Sequence, residues 1–142
     1  MQLNLETDYT VRCVLYLAQT DQSRSVQEVS RAMRMEKDTA RKLLDRLHDA
    51  GIVKVNQEVD GNYALAMNPD KIMVTDVLCV SEDTIKINRC LEHDGYCNRN
   101  ATCDCPMHKF YNGIQSMLEQ VFDNTSIMDI LEGKAEPYAR LM

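Results

Sequence analysis

The sequence predicts a mainly α-helical fold with one small β-hairpin. Three segments with apolar residues at helical spacing are followed by two short alternating segments on either side of a turn. A cysteine-rich stretch and one further segment with helical spacing complete the chain. A chain of 142 residues suits one hydrophobic core with a small appended element, rather than two independent domains.

The first three predicted helices have the proportions of a helix-turn-helix. Residues 8–19 are apolar on more than one side, as expected of a helix packed between other elements. Ser25 and Glu28 form a capping-box pattern at the start of the second helix. The third helix follows a short turn, runs over residues 36–50 and ends before a glycine. The predicted buried residues of the second and third helices are Val26, Val29, Ala32, Met33, Ala40, Leu43, Leu44 and Leu47.

A hairpin is predicted directly after the third helix. Residues 52–56 and 63–67 alternate in character around a turn at Asp60 and Gly61. A hairpin in this position is the wing of a winged helix-turn-helix, whereas the helices alone would also fit any three-helix bundle. We therefore expect a winged helix-turn-helix, the type of domain that binds DNA, over residues 1–80.

The net charge of −6 does not exclude a nucleic-acid partner, because the excess negative charge lies in residues 51–142. Residues 1–50 hold eight Lys and Arg against eight Asp and Glu, out of 16 and 22 in the whole chain. Such a distribution permits DNA binding. Asp38 and Asp45 on the third helix are expected to repel phosphate and help to reject wrong sites. The candidate DNA contacts are Lys37, Thr39, Arg41 and Lys42 on the third helix and Asn62 in the wing.

A short helix over residues 72–80 is followed by a loop that gathers four cysteines, at 81–108. Thiolates select zinc, copper(I) or iron–sulfur clusters over hard cations. The spacing fits paired zinc knuckles poorly and a cluster better, with unligated thiols as a third interpretation. Cys13 and Cys79 lie in apolar runs instead, and are predicted to be buried core residues. The candidate ligands of the loop are Cys90, Cys97, Cys103, Cys105 and His108, whereas His93 is expected to be a solvated loop residue.

Helical spacing returns from residue 109 and places a strongly apolar face on the last long helix. Little chain remains to cover this face, so we expect it to pack on a second copy in a twofold homodimer. A short final helix capped by Ser126 should end the segment 109–131, and residues 132–142 form a tail. The predicted dimerisation residues are Ile114, Met117, Leu118, Val121 and Phe122.

Two other classes of protein are not expected from this sequence. No window approaches the run of about 18 apolar residues needed to span a membrane, and the N-terminus lacks the features of a leader. We therefore expect a cytoplasmic protein, in which the six cysteines are thiols, metal ligands or redox groups. Nothing resembles a glycine-rich cofactor turn or a nucleophile with its base, so the chain is not expected to be an enzyme.

Five stretches match a known family in order and spacing: TDY at 7–9, VLYLA at 14–18, LHDAGIV at 47–53, GNY at 61–63 and IMVTDV at 72–77. Together with the cysteine loop before the long helix, they resemble the Rrf2 family of winged-helix transcription regulators, which includes the iron–sulfur regulators of the IscR and NsrR types. The resemblance implies a homodimer that binds a palindromic operator in double-stranded DNA. It also implies a 2Fe–2S or 4Fe–4S cluster that reports iron–sulfur status, oxygen or nitric oxide.

The same resemblance implies a set of cluster ligands. Cys90 matches the first ligand and Cys97 the second. Cys105 is preferred as the third because it begins a Cys-x-x-His match, although the spacing from Cys97 favours Cys103. The fourth ligand is His108 in an IscR-type pattern, or Asp8 from the other subunit in an NsrR-type pattern. Asp8 has an alternative role as the N-cap of the first helix.

The wing departs from the family pattern, which usually carries an arginine and three glycines. This chain reads QEVDGN over residues 57–62. An arginine gains from the negative potential of a narrow minor groove, and an acidic wing loses that gain. We therefore expect the DNA affinity or the choice of operator to differ from the family pattern.

The sequence thus predicts a homodimeric transcription regulator whose operator binding is controlled by an iron–sulfur cluster. The alternative is a winged-helix repressor that binds zinc or carries no cluster, and that senses the thiol redox state or a partner protein.

Overall fold

The computed structural model describes residues 2–56 and 61–137 and has the predicted architecture. Six α-helices and one two-stranded antiparallel hairpin occupy this part of the chain. The prediction of a mainly helical fold with a small hairpin is confirmed. The elements are α1 (Leu5–Thr20), α2 (Val26–Met33), α3 (Lys37–Asp49), β1 (Val53–Asn56), β2 (Asn62–Leu65), α4 (Val74–Ser81), α5 (Pro106–Asp123) and α6 (Ile127–Leu131), with 3-10 turns at Pro69–Lys71 and Arg89–Leu91.

Helix α1 begins earlier than the apolar pattern predicts, because Asn4 caps it. The Asn4 side-chain oxygen accepts a hydrogen bond from the Thr7 backbone N–H at 2.8 Å, which satisfies one of the free donors of the first turn. The alternative role of Asp8 as the N-cap is therefore wrong. Asp8 lies inside the helix and pairs with Arg12, with 2.7 Å between the carboxylate and the guanidinium.

Helix α2 begins at the predicted capping box. The Ser25 hydroxyl accepts from the Glu28 N–H at 3.1 Å, and the Ser25 N–H donates to the Glu28 carboxylate at 2.8 Å. The predicted burial of Ala32 is wrong, since this residue is exposed and Ser30 is buried instead. Positions three and four residues after Val26 share its face of the helix, whereas Ala32 lies off that face.

The hairpin packs beside the helices as a wing. Val53 pairs with Leu65 and Val55 with Tyr63. The Arg24 backbone adds an antiparallel bridge to β2, exchanging two 2.8 Å hydrogen bonds with Tyr63. Asp60, part of the predicted turn, lies outside the described residues.

One hydrophobic core joins α1, α2, α3, the hairpin, α4 and α6. Cys13 is fully buried in it, as predicted, and burial raises the pKa of its thiol to about 12. The prediction that Cys79 is buried is wrong, because α4 turns Val77 and Leu78 inward and leaves Cys79 exposed. The largest fully buried side chains include Val14, Leu17, Leu43, Leu44, Leu47 and Ile72.

Helix α5 starts at Pro106 rather than at residue 109, and proline is well suited to a first helical position. Gln115 is the one buried residue of this helix. Its amide nitrogen donates to the Ile85 carbonyl at 3.1 Å, and its oxygen accepts from the Ile87 N–H at 2.9 Å. These bonds fix the start of the cysteine segment against α5.

We expect Leu44→Ala to lower the free energy of unfolding by about 2–5 kcal/mol, because it removes a fully buried side chain and leaves a cavity. Urea unfolding followed by circular dichroism measures the change. The matched control is Leu5→Ala, since Leu5 is 63% exposed and its loss should change stability by less than about 0.5 kcal/mol. Equal effects of the two substitutions would contradict the described core.

Candidate functional site

A cavity of about 250 Å³ lies where the cysteine segment meets the start of α5. Cys90 enters it from the 3-10 turn Arg89–Leu91 and Cys97 from the loop that follows. Cys105 is the N-cap residue of α5, and His108 lies in the first turn of that helix. Three of the four loop cysteines and one of the two loop histidines thus line the same cavity.

Two of the four donors are in direct contact. The His108 Nδ1 atom lies 3.1 Å from the Cys90 sulfur, and the Asn88 amide donates to the same sulfur at 3.3 Å. Within residues 2–56 and 61–137, no three His, Cys, Asp or Glu side chains are close enough to hold one metal ion. The ligands of a cluster stand further apart than those of one ion, because they bind different iron atoms. Three thiols and an imidazole around one cavity are donors that an iron–sulfur cluster takes, so this donor set fits such a cluster.

The remaining candidate ligands lie elsewhere. Cys103 is exposed and lines a neighbouring cavity of about 300 Å³, which Cys97 also borders. His93 is exposed on the loop. Asp8 borders a different cavity, at the N-terminal end of α1, so a single chain does not bring it to the cysteines.

Local electrostatics favour a thiolate in the cysteine cavity. Backbone N–H groups of Ala101 and Arg99 hydrogen-bond the Cys97 sulfur and hold the pKa of its thiol below the ordinary value. A metal ligand must be the thiolate, so this environment favours ligation. Arg89 also borders the cavity, and its guanidinium donates to Asp94 at 2.6 Å and lies 5.2 Å from the centre of the Tyr96 ring. These two contacts close the loop between the first two cysteines.

The five predicted DNA contacts, four on α3 and one in the wing, lie in different surroundings. Lys37 and Arg41 are exposed and line a cleft of about 280 Å³ with the N-terminus of α2 and Gly61. Lys42 lies outside this cleft, and its ammonium is 2.8 Å from the Glu6 carboxylate. Thr39 and Asn62 are half-buried, and Asn62 pairs with Asn56 at the turn end of the wing.

Asp45 has a contact that the sequence did not predict. The hydroxyl of buried Tyr63 donates a hydrogen bond to its carboxylate, which ties β2 to α3. Burial and this carboxylate raise the pKa of Tyr63 to about 12. Asp45 thus orients the wing relative to α3.

The predicted dimerisation residues lie along one side of α5, and none of them is buried in the single chain. Met117 is 45% exposed, and Phe110, two turns nearer the N-terminus, is 60% exposed. Ile114, Leu118, Val121 and Phe122 are half-buried. The helix therefore presents an apolar face that the described chain covers only in part.

Four contacts at the start of α1 could not be predicted from the sequence. Glu6 pairs with Lys42 and Arg46, and Asn4 and Thr7 bind Glu82. The partners lie between 36 and 78 residues apart in sequence, so no local pattern could have revealed them.

In the part of the chain that the structure describes, no helix is long and apolar enough to cross a membrane.

Comparison with known proteins identifies the family. The model of the Rrf2 family, described as an iron-dependent transcriptional regulator, matches residues 3–133. The NsrR regulator of Halalkalibacterium halodurans is 27% identical over 146 residues, covering 99% of this chain and 97% of that protein. The IscR structure of T. potens has a TM-score of 0.73 at 21% identity, covering 97% of this chain and 90% of that one. The structure of CymR, the global cysteine regulator of B. subtilis, has a TM-score of 0.69 at 20% identity, covering 92% and 95%. From the family match over most of its length, this chain belongs to the Rrf2 family of DNA-binding transcriptional regulators.

Proposed function

We propose that this regulator is a homodimer that binds a palindromic operator under the control of an iron–sulfur cluster. The cluster ligands are Cys90, Cys97 and Cys105, with His108 as the fourth. The observation that carries the proposal is that these four side chains line one cavity, whereas Cys103 does not. The description of the matching family as iron-dependent supports the choice of iron.

Each part of the chain has a task in this proposal. Residues 1–80 bind DNA, residues 81–108 hold the cluster, and residues 109–131 form the dimer. The cytoplasm supplies both the DNA and the reducing conditions that keep the six cysteines free of disulfides.

The ligands are held by different means. Cys105 and His108 belong to the rigid first turn of α5, while the contacts of Arg89 with Asp94 and Tyr96 fold the loop that carries Cys90 and Cys97. The backbone hydrogen bonds that lower the pKa of Cys97 favour its thiolate, which is the form that binds a metal. When bound, the cluster supplies a centre whose loss or chemical modification reports on iron, oxygen or nitric oxide, as the family resemblance implies.

In this proposal, α3 contacts the DNA, and the symmetry of the dimer sets the spacing between the two contacted half-sites. Lys37 and Arg41 lie in the N-terminal half of α3, the part that enters the major groove first in helix-turn-helix proteins. Their charges suit guanine edges or phosphates. A twofold pair of such helices contacts two half-sites together only when their separation matches one turn of DNA. Because α5 carries both the dimer face and two cluster ligands, the state of the cysteine segment can change that separation.

The isolated protein distinguishes this proposal from a regulator with zinc or with no cluster. If the proposal is correct, purification without oxygen should yield brown protein that absorbs visible light and contains iron and acid-labile sulfide. Colourless protein with zinc would support the first alternative, and colourless protein free of metal would support the second. Either colourless result would contradict the proposed cluster.

A further inference from the structure

Two cations of the DNA-reading helix are already paired with an anion of the protein itself. Glu6 lies in the first turn of α1, and one of its carboxylate oxygens is 2.8 Å from the Lys42 ammonium. The other oxygen is 2.7 Å from the Arg46 guanidinium, one turn further along α3. We call these three residues the Glu6 ion-pair cluster. Hydrogen bonds from Lys42 and Arg46 hold the pKa of Glu6 below its ordinary value, so the carboxylate is charged at neutral pH.

The two cations of the Glu6 ion-pair cluster differ in their pairing from Lys37 and Arg41, which lie nearer the N-terminus of α3. Lys37 and Arg41 make no ion pair with the part of the chain that the structure describes. The Lys42 and Arg46 side chains are 53% and 40% exposed, so an external anion can reach them if Glu6 withdraws. A carboxylate and a phosphate compete for the same donors, because both bind ammonium and guanidinium groups through charged oxygens.

The helical turn that carries Glu6 is attached to the start of the cysteine segment. The Glu82 carboxylate accepts from the Asn4 N–H at 2.8 Å and from the Thr7 hydroxyl at 2.7 Å. One turn later, the Thr10 and Ser81 hydroxyls lie 2.7 Å apart. Thr7 and Thr10 are fully buried, which limits the access of water to the hydrogen bonds that these two residues make. A displacement of the chain at residues 81–82 therefore reaches the turn that holds Glu6.

We propose that Lys42 and Arg46 form a second contact site for DNA backbone phosphate, which Glu6 keeps closed, and that the cysteine segment opens or closes it through Glu82. The ligand is a phosphodiester of double-stranded DNA. The first half of this proposal depends only on DNA binding. The second half rests on the proposed cluster.

The first test is the salt dependence of binding to a short random-sequence DNA duplex. Glu6→Gln removes the competing charge, so we expect tighter binding and a slope of log K against log salt that steepens by about 0.9 for each newly contacted phosphate. The control is Asp21→Asn, which removes one negative charge at the other end of α1. Asp21 has a positive φ of 48°, a conformation that asparagine tolerates. Asp21→Asn should leave the slope unchanged.

The pair of cations supplies a second control. Lys42→Gln with Arg46→Gln should reverse the gain in the Glu6→Gln background and should reduce the slope by less when Glu6 is present. If the double substitution lowered the salt slope equally with and without Glu6, then Glu6 would not keep these two cations from phosphate. That result would overturn the first half of the proposal. An unchanged slope in folded Glu6→Gln protein, checked by circular dichroism, would overturn it as well.

The second test compares the protein loaded with its cluster and freed of it. The salt slope should differ between the two forms. The difference should disappear in Glu82→Ala and persist in Glu82→Gln, which retains an oxygen acceptor for Thr7. Equal slopes in a wild-type protein that demonstrably contains iron and sulfide would overturn the second half. Absence of iron and sulfide would instead overturn the proposed function, while the first test would still stand.

Discussion

Cys105→Ala is expected to abolish the iron and acid-labile sulfide content of protein purified without oxygen, whereas Cys103→Ala leaves both at the wild-type level. The two cysteines are separated by one residue, but only Cys105 shares the cavity with Cys90, Cys97 and His108. Removing a thiolate from this cavity leaves a cluster short of a strong ligand. Iron and sulfide analysis with visible absorption spectra measures the outcome.

This pair of variants is closely matched, because both remove the same side chain from the same short segment. Cys103 is exposed, and Cys105 makes no side-chain hydrogen bond at the start of α5, so neither substitution removes a packed core residue. Loss of the cluster in Cys103→Ala with retention in Cys105→Ala would reverse the assignment of the third ligand. Retention in both variants would contradict the cysteine cavity as the binding site.

Met117→Glu is expected to convert the homodimer to a monomer and to weaken binding to a palindromic operator. The substitution places a charge in the middle of the apolar face of α5, where dimer formation would have to remove it from water. A monomer contacts one half-site instead of two linked half-sites, so the apparent DNA affinity should fall by about 10²- to 10⁴-fold. Sedimentation velocity reports the dimer, and fluorescence anisotropy with an operator selected from a random library reports the affinity.

Ser116→Glu is the control for the dimer prediction. Ser116 is exposed and lies two positions from both Ile114 and Leu118, which places it across the helix from the centre of the apolar face, so the same charge should leave the dimer intact. Met117 is 45% exposed in the single chain, which means that glutamate there should not unfold the protomer. A Met117→Glu protein that still sediments as the same dimer as Ser116→Glu would exclude this face as the interface.

Local signals predicted most of the fold correctly. The Ser25 and Glu28 capping box placed the start of α2, and Ser126 placed the start of α6, because each cap satisfies backbone donors within its own turn. Helical spacing of leucines identified the buried face of α3. These features depend on neighbours within four residues, so a sequence contains nearly all the information needed.

The errors arose where several residues could satisfy the same local rule. Asp8 is a good N-cap in principle, but Asn4 occupies that position and Asp8 instead pairs within the helix. Cys79 lies in an apolar run, yet a short helix packed on one side must expose some of its residues. Neither choice could be made without knowing which neighbour each face of the helix meets.

The candidate site was predictable in kind but not in arrangement. The density of cysteines pointed to a soft metal centre, while spacing alone could not separate Cys103 from Cys105. The Glu6 ion-pair cluster could not be predicted at all, since it joins α1 to α3 through residues at least 36 positions apart. Contacts of that range depend on the packing of the helices rather than on any pattern along the chain.

The most direct test is the affinity of one protein preparation for its selected operator, at fixed salt, before and after removal of the cluster without oxygen. Coupling between two sites typically changes affinity by about 5- to 150-fold, and a change in this range is the expected result. The Cys105→Ala protein should bind like the cluster-free form whether or not iron is supplied. Equal operator affinity of the loaded and cluster-free dimers would contradict control of DNA binding by the cysteine cavity.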